Sequence, residues 1–278
     1  MVKEFIKKYP LTVLMIIFWI VGGIWFGSHI IFDKVEEASG RGRAQEVIEQ
    51  MDPSGAFAGL PVRAQAQVTG DAAPPAGTGS VFTKVNVSYF DDACFIGDSR
   101  TDTLRLYSGW TKPAYYTKTG TNIWDIMDDT VQAGDGGAEI SIDKALQTHK
   151  FGKVYIMLGV NELGTGTPES YYQQFRKVVD RIRQLQPDAL IFVEPIIHVT
   201  DAEQKAQPAI NNDAINSRNT LLKKLADNKK TFYIDANEAL DDKNGCLNAS
   251  YTFDGVHLKG DQVGPWLDFL LAHGVVRK

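Results

Sequence analysis

Four short runs of nearly unbroken apolarity, DACFIG (92–97), KVYIMLG (153–159), ALIFVEP (189–195) and KTFYIDA (230–236), constrain the fold of this chain more than any other feature. A strand with one wet face alternates apolar and polar residues, whereas runs of this kind mark strands covered on both faces. PAYYT (113–117) is a weaker strand of the same type. Helical spacing fills the intervals. ESYYQQFRKVVDRIRQLQ (169–186) sets Tyr172, Phe175, Val178, Val179 and Ile182 three and four residues apart, behind the start signal Thr167-Pro168. DAINSRNTLLKKLADN (213–228) carries a stripe of Ile215, Leu221, Leu222 and Leu225, and QVGPWLDFLLAHG (262–274) predicts a closing helix. Strands alternating with helices of this length predict βαβ units, hence an α/β fold with a mainly parallel sheet. Residues 81–278 are enough for one substantial core.

The segments before residue 81 have a different texture. Leu11 through Phe32 contains no Asp, Glu, Lys or Arg. At about 1.5 Å of rise per residue, a helix of that length crosses a hydrocarbon core of about 30 Å. It is longer than the h-region of a signal peptide, and no small-x-small cleavage site follows, so it reads as one uncleaved transmembrane anchor. Lys3, Lys7 and Lys8 make the N-terminal flank positive, while Asp33, Glu36 and Glu37 make the other flank negative. That asymmetry predicts a cytoplasmic tail (1–10), an anchor in the lipid bilayer (11–32) and an extracytoplasmic remainder. Residues 33–80, rich in Gly, Ala, Pro, Gln and Ser, read as a flexible linker.

Composition removes some classes of function. With 29 basic against 34 acidic side chains, the formal charge of −5 gives no electrostatic footprint for nucleic acid. Two cysteines and five histidines are too sparse for a structural zinc site, and no metal or organic cofactor is expected. Cys94 and Cys246 could pair in an oxidising compartment, the alternative for Cys94 being a small buried side chain. Nothing in the sequence identifies a protein partner.

In an open parallel sheet, ligands bind outside the carboxyl ends of the strands. All four of the stronger apolar runs end next to unusual polar or glycine-rich residues: Gly97-Asp98-Ser99, Gly159-Val160-Asn161-Glu162, Glu194-Pro195 and Asp235. Ser99 follows a strand and opens a helix, which allows either a displayed nucleophile or a helix cap. Gly97 permits close backbone approach, and Asp98 can hydrogen-bond the turn that positions the serine. A serine nucleophile needs a base. His29 falls in the anchor, and His149, His198 and His273 occupy a helix end, a post-strand loop and the last helix. His257 stands apart because Asp254 precedes it by three residues, close enough to orient its Nδ1 and turn Nε2 toward Ser99.

Taken together, these pieces resemble the SGNH hydrolases, also called the GDSL-like lipase and acylhydrolase family. Gly97-Asp98-Ser99 is similar to the block that supplies the nucleophile and one oxyanion amide. Gly120 is similar in position to the second-block glycine, Asn161 in Gly159-Val160-Asn161 to the third-block asparagine, and Asp254 with His257 to the acid and base of the last block. The resemblance implies a three-layer α/β/α flavodoxin-like fold and hydrolysis of an ester through a serine acyl-enzyme. It also implies an oxyanion hole built from Ser99, Gly120 and Asn161. Two positions depart from the family pattern. Arg100 replaces the usual Leu, so it either contacts an anionic substrate or faces solvent, and Glu162 replaces the usual Asp. The location predicts esters on cell-envelope glycans, chiefly O-acetyl groups, as substrate. A lipid or small-ester hydrolase and a catalytically silent glycan-binding or envelope-assembly module are the alternatives.

Overall fold

The computed structural model describes residues 81–132 and 138–276. The tail, anchor and linker expected over 1–80 lie outside them. Among the described residues no helix is long and apolar enough to cross a membrane.

Five strands form one parallel sheet: β1 (Ala93–Gly97), β2 (Ala114–Thr117), β5 (Lys153–Met157), β6 (Leu190–Val193) and β7 (Thr231–Tyr233). Their spatial order is β2-β1-β5-β6-β7, with every pair parallel. A two-stranded antiparallel ribbon, β3 (Thr130–Gln132) and β4 (Glu139–Ser141), stands apart. The helices are α1 (Ser99–Tyr107), α2 (Ile142–Thr148), α3 (Pro168–Leu185), α4 (Asp201–Ala206), α5 (Asn212–Leu222), α6 (Asn237–Leu240) and α7 (Gly264–Ala272). The parallel α/β architecture expected from the apolar runs is therefore present, with each strand one to four residues shorter than its run.

Both faces of the sheet are covered, which is why its strands lack alternation. Cys94, Ile96, Val154, Ile156, Ile191 and Val193 pack toward α2, α3 and α5. Phe95, Tyr155, Met157, Leu190, Phe192 and Phe232 pack toward α1, α6 and α7. On the second face an aromatic row runs across all five strands. Tyr115, Phe95, Tyr155 and Phe192 stack in sequence at centroid spacings of 5.4, 4.7 and 4.4 Å, and Phe232 follows at 5.5 Å. The parallel register produces this row by setting the five residues directly opposite one another.

Helix α3 begins as expected, with Pro168 in the first turn and a reciprocal Thr167/Ser170 capping box. Its buried face takes Tyr171 rather than Tyr172, and the Tyr171 hydroxyl donates to the Leu158 carbonyl at 2.7 Å. Of the two alternatives for the cysteines the structure shows the unpaired one, with Cys94 and Cys246 both free and buried. Cys94 is locked inside the sheet against the α2/α3/α5 face, whereas Cys246 sits in the loop after α6 beside Gln204.

Candidate active site

The strand order reverses between β1 and β5. The chain leaves β1 toward β2 on one side and returns to β5 on the other, and this opens a crevice at their carboxyl ends. Ser99 follows β1 and Asn161 follows β5, so topology places both at the mouth of that crevice.

Gly97 ends β1 where nothing larger fits, because an added Cβ would collide with Thr101 Oγ1 and the Met157 carbonyl. Asp98 is the N-cap of α1, its Oδ1 accepting the Arg100 amide at 2.9 Å. Ser99 is thus the first helical residue, not the cap, and its hydroxyl is free for another partner. That partner is His257, whose Nε2 lies 2.9 Å from Ser99 Oγ.

His257 belongs to the loop between Thr252 and Leu258. Its Nδ1 lies 2.7 Å from Asp254 Oδ2, while Asp254 Oδ1 accepts the Val256 and His257 amides at 2.9 and 2.8 Å. Thr252 Oγ1 donates to the same oxygen at 3.1 Å and receives the Gly255 amide at 2.9 Å. Gly255 has φ of +85°, which favours glycine, and a Cβ there would lie 2.7 Å from Glu203 Cβ and Thr200 Oγ1. Burial raises the affinity of Asp254 for its proton, but the His257 side chain and the two amides outweigh it and hold the carboxyl well below the usual carboxylate range. With the carboxylate ionised, Nδ1–H donates to it, and Nε2 is the lone-pair nitrogen facing the Ser99 hydroxyl.

On the other side of Ser99, the Lys118 amide bonds to the Gly97 carbonyl at 3.2 Å and leads the chain into the turn that carries Gly120, whose φ is +76°. Asn161 Nδ2 donates to the Thr121 carbonyl at 2.7 Å, which ties the end of β5 to this turn and leaves the second amide hydrogen uncommitted. Glu162 is 1% exposed and its Oε1 accepts the Ile123 amide at 2.5 Å. Burial lifts its pKa to about 7, with the Ile123 bond opposing that rise. Gly159 (φ +136°) closes the end of β5 against Ile196.

Arg100 departs from both expectations for it. It is 2% exposed and neither projects beside a pocket nor faces solvent. Its Nη1 donates to the Ile197 carbonyl at 2.8 Å, and its Nε lies 3.9 Å from Asp98 Oδ1. The physical reason is local: the first turn of α1 faces the sheet, and the Ile197 carbonyl and Asp98 offer the guanidinium partners there.

Sequence reasoning passed over the groups that brace this site. The extended segment 196–199 beyond β6 has no strand partner, and three buried asparagines bond its backbone instead. Asn219 takes both the amide and the carbonyl of Ile196, Asn212 those of Val199, and Asn237 the His198 amide. Their signal is the pair Asn212 and Asn219, seven residues apart and so on one face of α5. The segment in turn supports the histidine loop, since the Thr200 amide donates to the Gly255 carbonyl at 3.0 Å.

Among solved structures, the chain is similar to a Streptococcus pneumonia protein provisionally described as a platelet activating factor. The identity is 20% and the TM-score 0.50, over 64% of this chain and 83% of that one. A GDSL-like lipase from Bacteroides thetaiotaomicron aligns at 14% identity and TM-score 0.48, over 69% and 88% of the two chains. An acetylxylan esterase from Geobacillus stearothermophilus aligns at 15% and 0.47, over 67% and 96%. A search of curated proteins returned no match. The model of the GDSL-like lipase/acylhydrolase family matches residues 95–261, more than half of the chain and the whole span from the end of β1 to beyond His257, and the chain belongs to that family of ester-hydrolysing enzymes.

Proposed function

We propose that this enzyme is a membrane-anchored extracytoplasmic serine esterase that removes acyl groups, chiefly acetyl, from cell-envelope glycans. The observation that carries the catalytic part is the hydrogen-bonded line Ser99 Oγ, His257 Nε2, His257 Nδ1, Asp254 Oδ2, with spacings of 2.9 and 2.7 Å. Such a line supports attack by Ser99 on the ester carbonyl while His257 takes the hydroxyl proton. Asp254 holds the ring and stabilises its charged form. The oxyanion is received by the Ser99 amide, the Gly120 amide and the free Nδ2 hydrogen of Asn161, aided by the positive end of α1. His257 then passes its proton to the departing alcohol, and the acyl group stays on Ser99. A water molecule attacks that ester with His257 again as base, releasing the carboxylic acid and restoring Ser99.

The location rests on Leu11–Phe32 and on the charge asymmetry of its flanks. An esterase tethered outside a bilayer by a linker has envelope glycans within reach. Acetate release from purified, acetylated envelope glycan by the full-length protein, against release of long-chain acids from lipid esters, tests the substrate. Acetate release absent in the Ser99→Ala variant is the expected result, and release of only long-chain acids would overturn the glycan assignment. Protease treatment of intact cells should remove the C-terminal region, and full protection would overturn the orientation.

A further inference from the structure

The turn that carries Gly120 has little burial to hold it. Lys118, Thr119 and Gly120 are exposed, and a Cβ added at Gly120 would meet no atom beyond its chain neighbours within 4 Å. Hydrogen bonds fix the turn instead. The Thr121 amide donates to the Lys118 carbonyl at 3.3 Å, closing a four-residue β-turn, and the positive φ of Gly120 falls at the third position, where a type II turn needs it. That closing bond uses the Thr121 amide and leaves the Gly120 amide outside it. A single carboxylate then grips both ends of the turn. Lys118 Nζ donates to Asp129 Oδ1, and Thr121 Oγ1 donates to Asp129 Oδ2. An ionised carboxylate is an acceptor only, and hydrogen bonds to it are among the stronger ones. The two arms differ in surroundings. The Lys118 side chain is about half exposed and solvent screens its charge, whereas Thr121 and Asp129 are buried.

Asp129 is itself well anchored. Its amide donates to the Asp125 carbonyl at 3.0 Å, and its carbonyl accepts the amide of Ile142, the first residue of α2, at 2.8 Å. Ile142 is fully buried in the core on the α2, α3 and α5 face of the sheet. The carboxylate therefore connects an exposed turn to a rigid part of the fold. We infer that Asp129 is a positioning residue of the oxyanion hole, a clamp on residues 118–121 that keeps the Gly120 amide aimed at the ester oxygen beside Ser99. This rests on the reading of Ser99, Gly120 and Asn161 as the oxyanion donors. Asp129 donates nothing to the oxyanion; it acts through Lys118 and Thr121 on the amide between them. Misplacement by about 1 Å costs on the order of 10²-fold in rate, and outright loss of one oxyanion donor about 10²–10³-fold, so a clamp on one donor shows itself in kcat.

The test uses the full-length protein with p-nitrophenyl acetate as probe and compares Asp129→Asn, Thr121→Val, Thr121→Ser and Asn161→Ala. Asparagine meets the two donors with one oxygen and one NH₂ group, so it cannot serve both. Asp129→Asn should lose about 10- to 100-fold in kcat, with kcat/KM falling equally, the mark of an interaction made only in the transition state. Thr121→Val keeps the shape, removes the hydroxyl and should lose about 10-fold, whereas Thr121→Ser keeps the hydroxyl and should stay within about twofold of wild type. Wild-type kcat per folded molecule in Asp129→Asn and Thr121→Val, even beside a lowered melting temperature, would overturn the clamp. Equal losses in Thr121→Val and Thr121→Ser would overturn it too. If Asp129→Asn does not fold, the Thr121 pair decides on the same criteria. Asn161→Ala separates the clamp from the reading beneath it. Wild-type kcat in that variant removes the oxyanion hole itself, whereas its loss beside unimpaired Asp129→Asn and Thr121→Val removes only the clamp.

Discussion

The described residues include two carboxylate–histidine pairs of equal length and opposite character. In both, the histidine Nδ1 lies 2.7 Å from an aspartate Oδ2: His257 with Asp254, and His198 with Asp241. The first pair is about half exposed, the second largely buried. What separates them is the other ring nitrogen. His257 Nε2 faces the Ser99 hydroxyl, a group that can donate, whereas His198 Nε2 faces Asn216 Oδ1, which only accepts. A ring between a carboxylate and a hydroxyl keeps a lone pair for the hydroxyl proton. A ring between two acceptors satisfies both only by donating from both nitrogens, which favours its protonated form. Burial works against that charge at His198, but the Asp241 and Asn216 hydrogen bonds prevail and raise its pKa. A carboxylate–histidine pair is therefore a base or a strut according to its third partner.

The comparison breaks most directly by removing each ring. His257→Ala should lower kcat about 10⁴-fold or more with little change in melting temperature. His198→Ala should leave activity per folded molecule within about threefold while lowering the melting temperature, since it strips the ring from the largely buried Asp241. The reverse pattern in esterase assays and thermal melts would end the distinction. Replacing the carboxylates sharpens it: Asp254→Asn should cost on the order of 10³–10⁴ in kcat by freeing the wrong tautomer, and Asp241→Asn chiefly stability. Asn161→Ala follows with a loss of about 10²–10³, the size of one oxyanion donor, measured as kcat on p-nitrophenyl acetate.

The smallest expected effect is in pH dependence, and its sign differs between the pairs. The folded-state pKa of His198 is raised, so its contribution to stability is complete below about 6.5, the ordinary histidine value, and fades as pH rises through the folded value. The melting-temperature gap between wild type and His198→Gln should be widest near pH 6 and close on the alkaline side. Asp254 is lowered, so its contribution is present above about 3.9 and fades only in acid. Its exposure screens that contribution. A His198→Gln gap that widens toward alkaline pH would contradict the strut.

The same contrast explains what the sequence made legible. The strands could be read because burial on both faces leaves a periodicity signal that needs no tertiary knowledge. Asp254 and His257 could be read because their bond is local, spanning three residues. His198 could not, since Asp241 and Asn216 come from separate elements, and it passed for a loop histidine. Arg100 looked like a surface or substrate-facing charge because nothing in the chain reveals that the Ile197 carbonyl and Asp98 await it. The ribbon of β3 and β4 escaped notice for a different reason: three-residue strands with no fully buried side chain leave too little pattern to read.

The central claim, that Ser99 is activated by the exposed pair, is tested most directly by reacting the full-length protein with a fluorophosphonate probe and locating the adduct by mass spectrometry of its peptides. The account predicts one adduct, on Ser99, formed readily by wild type, absent in Ser99→Ala, and strongly slowed in His257→Ala but not in His198→Ala. An unlabelled wild type, or labelling that persists in Ser99→Ala, would contradict it.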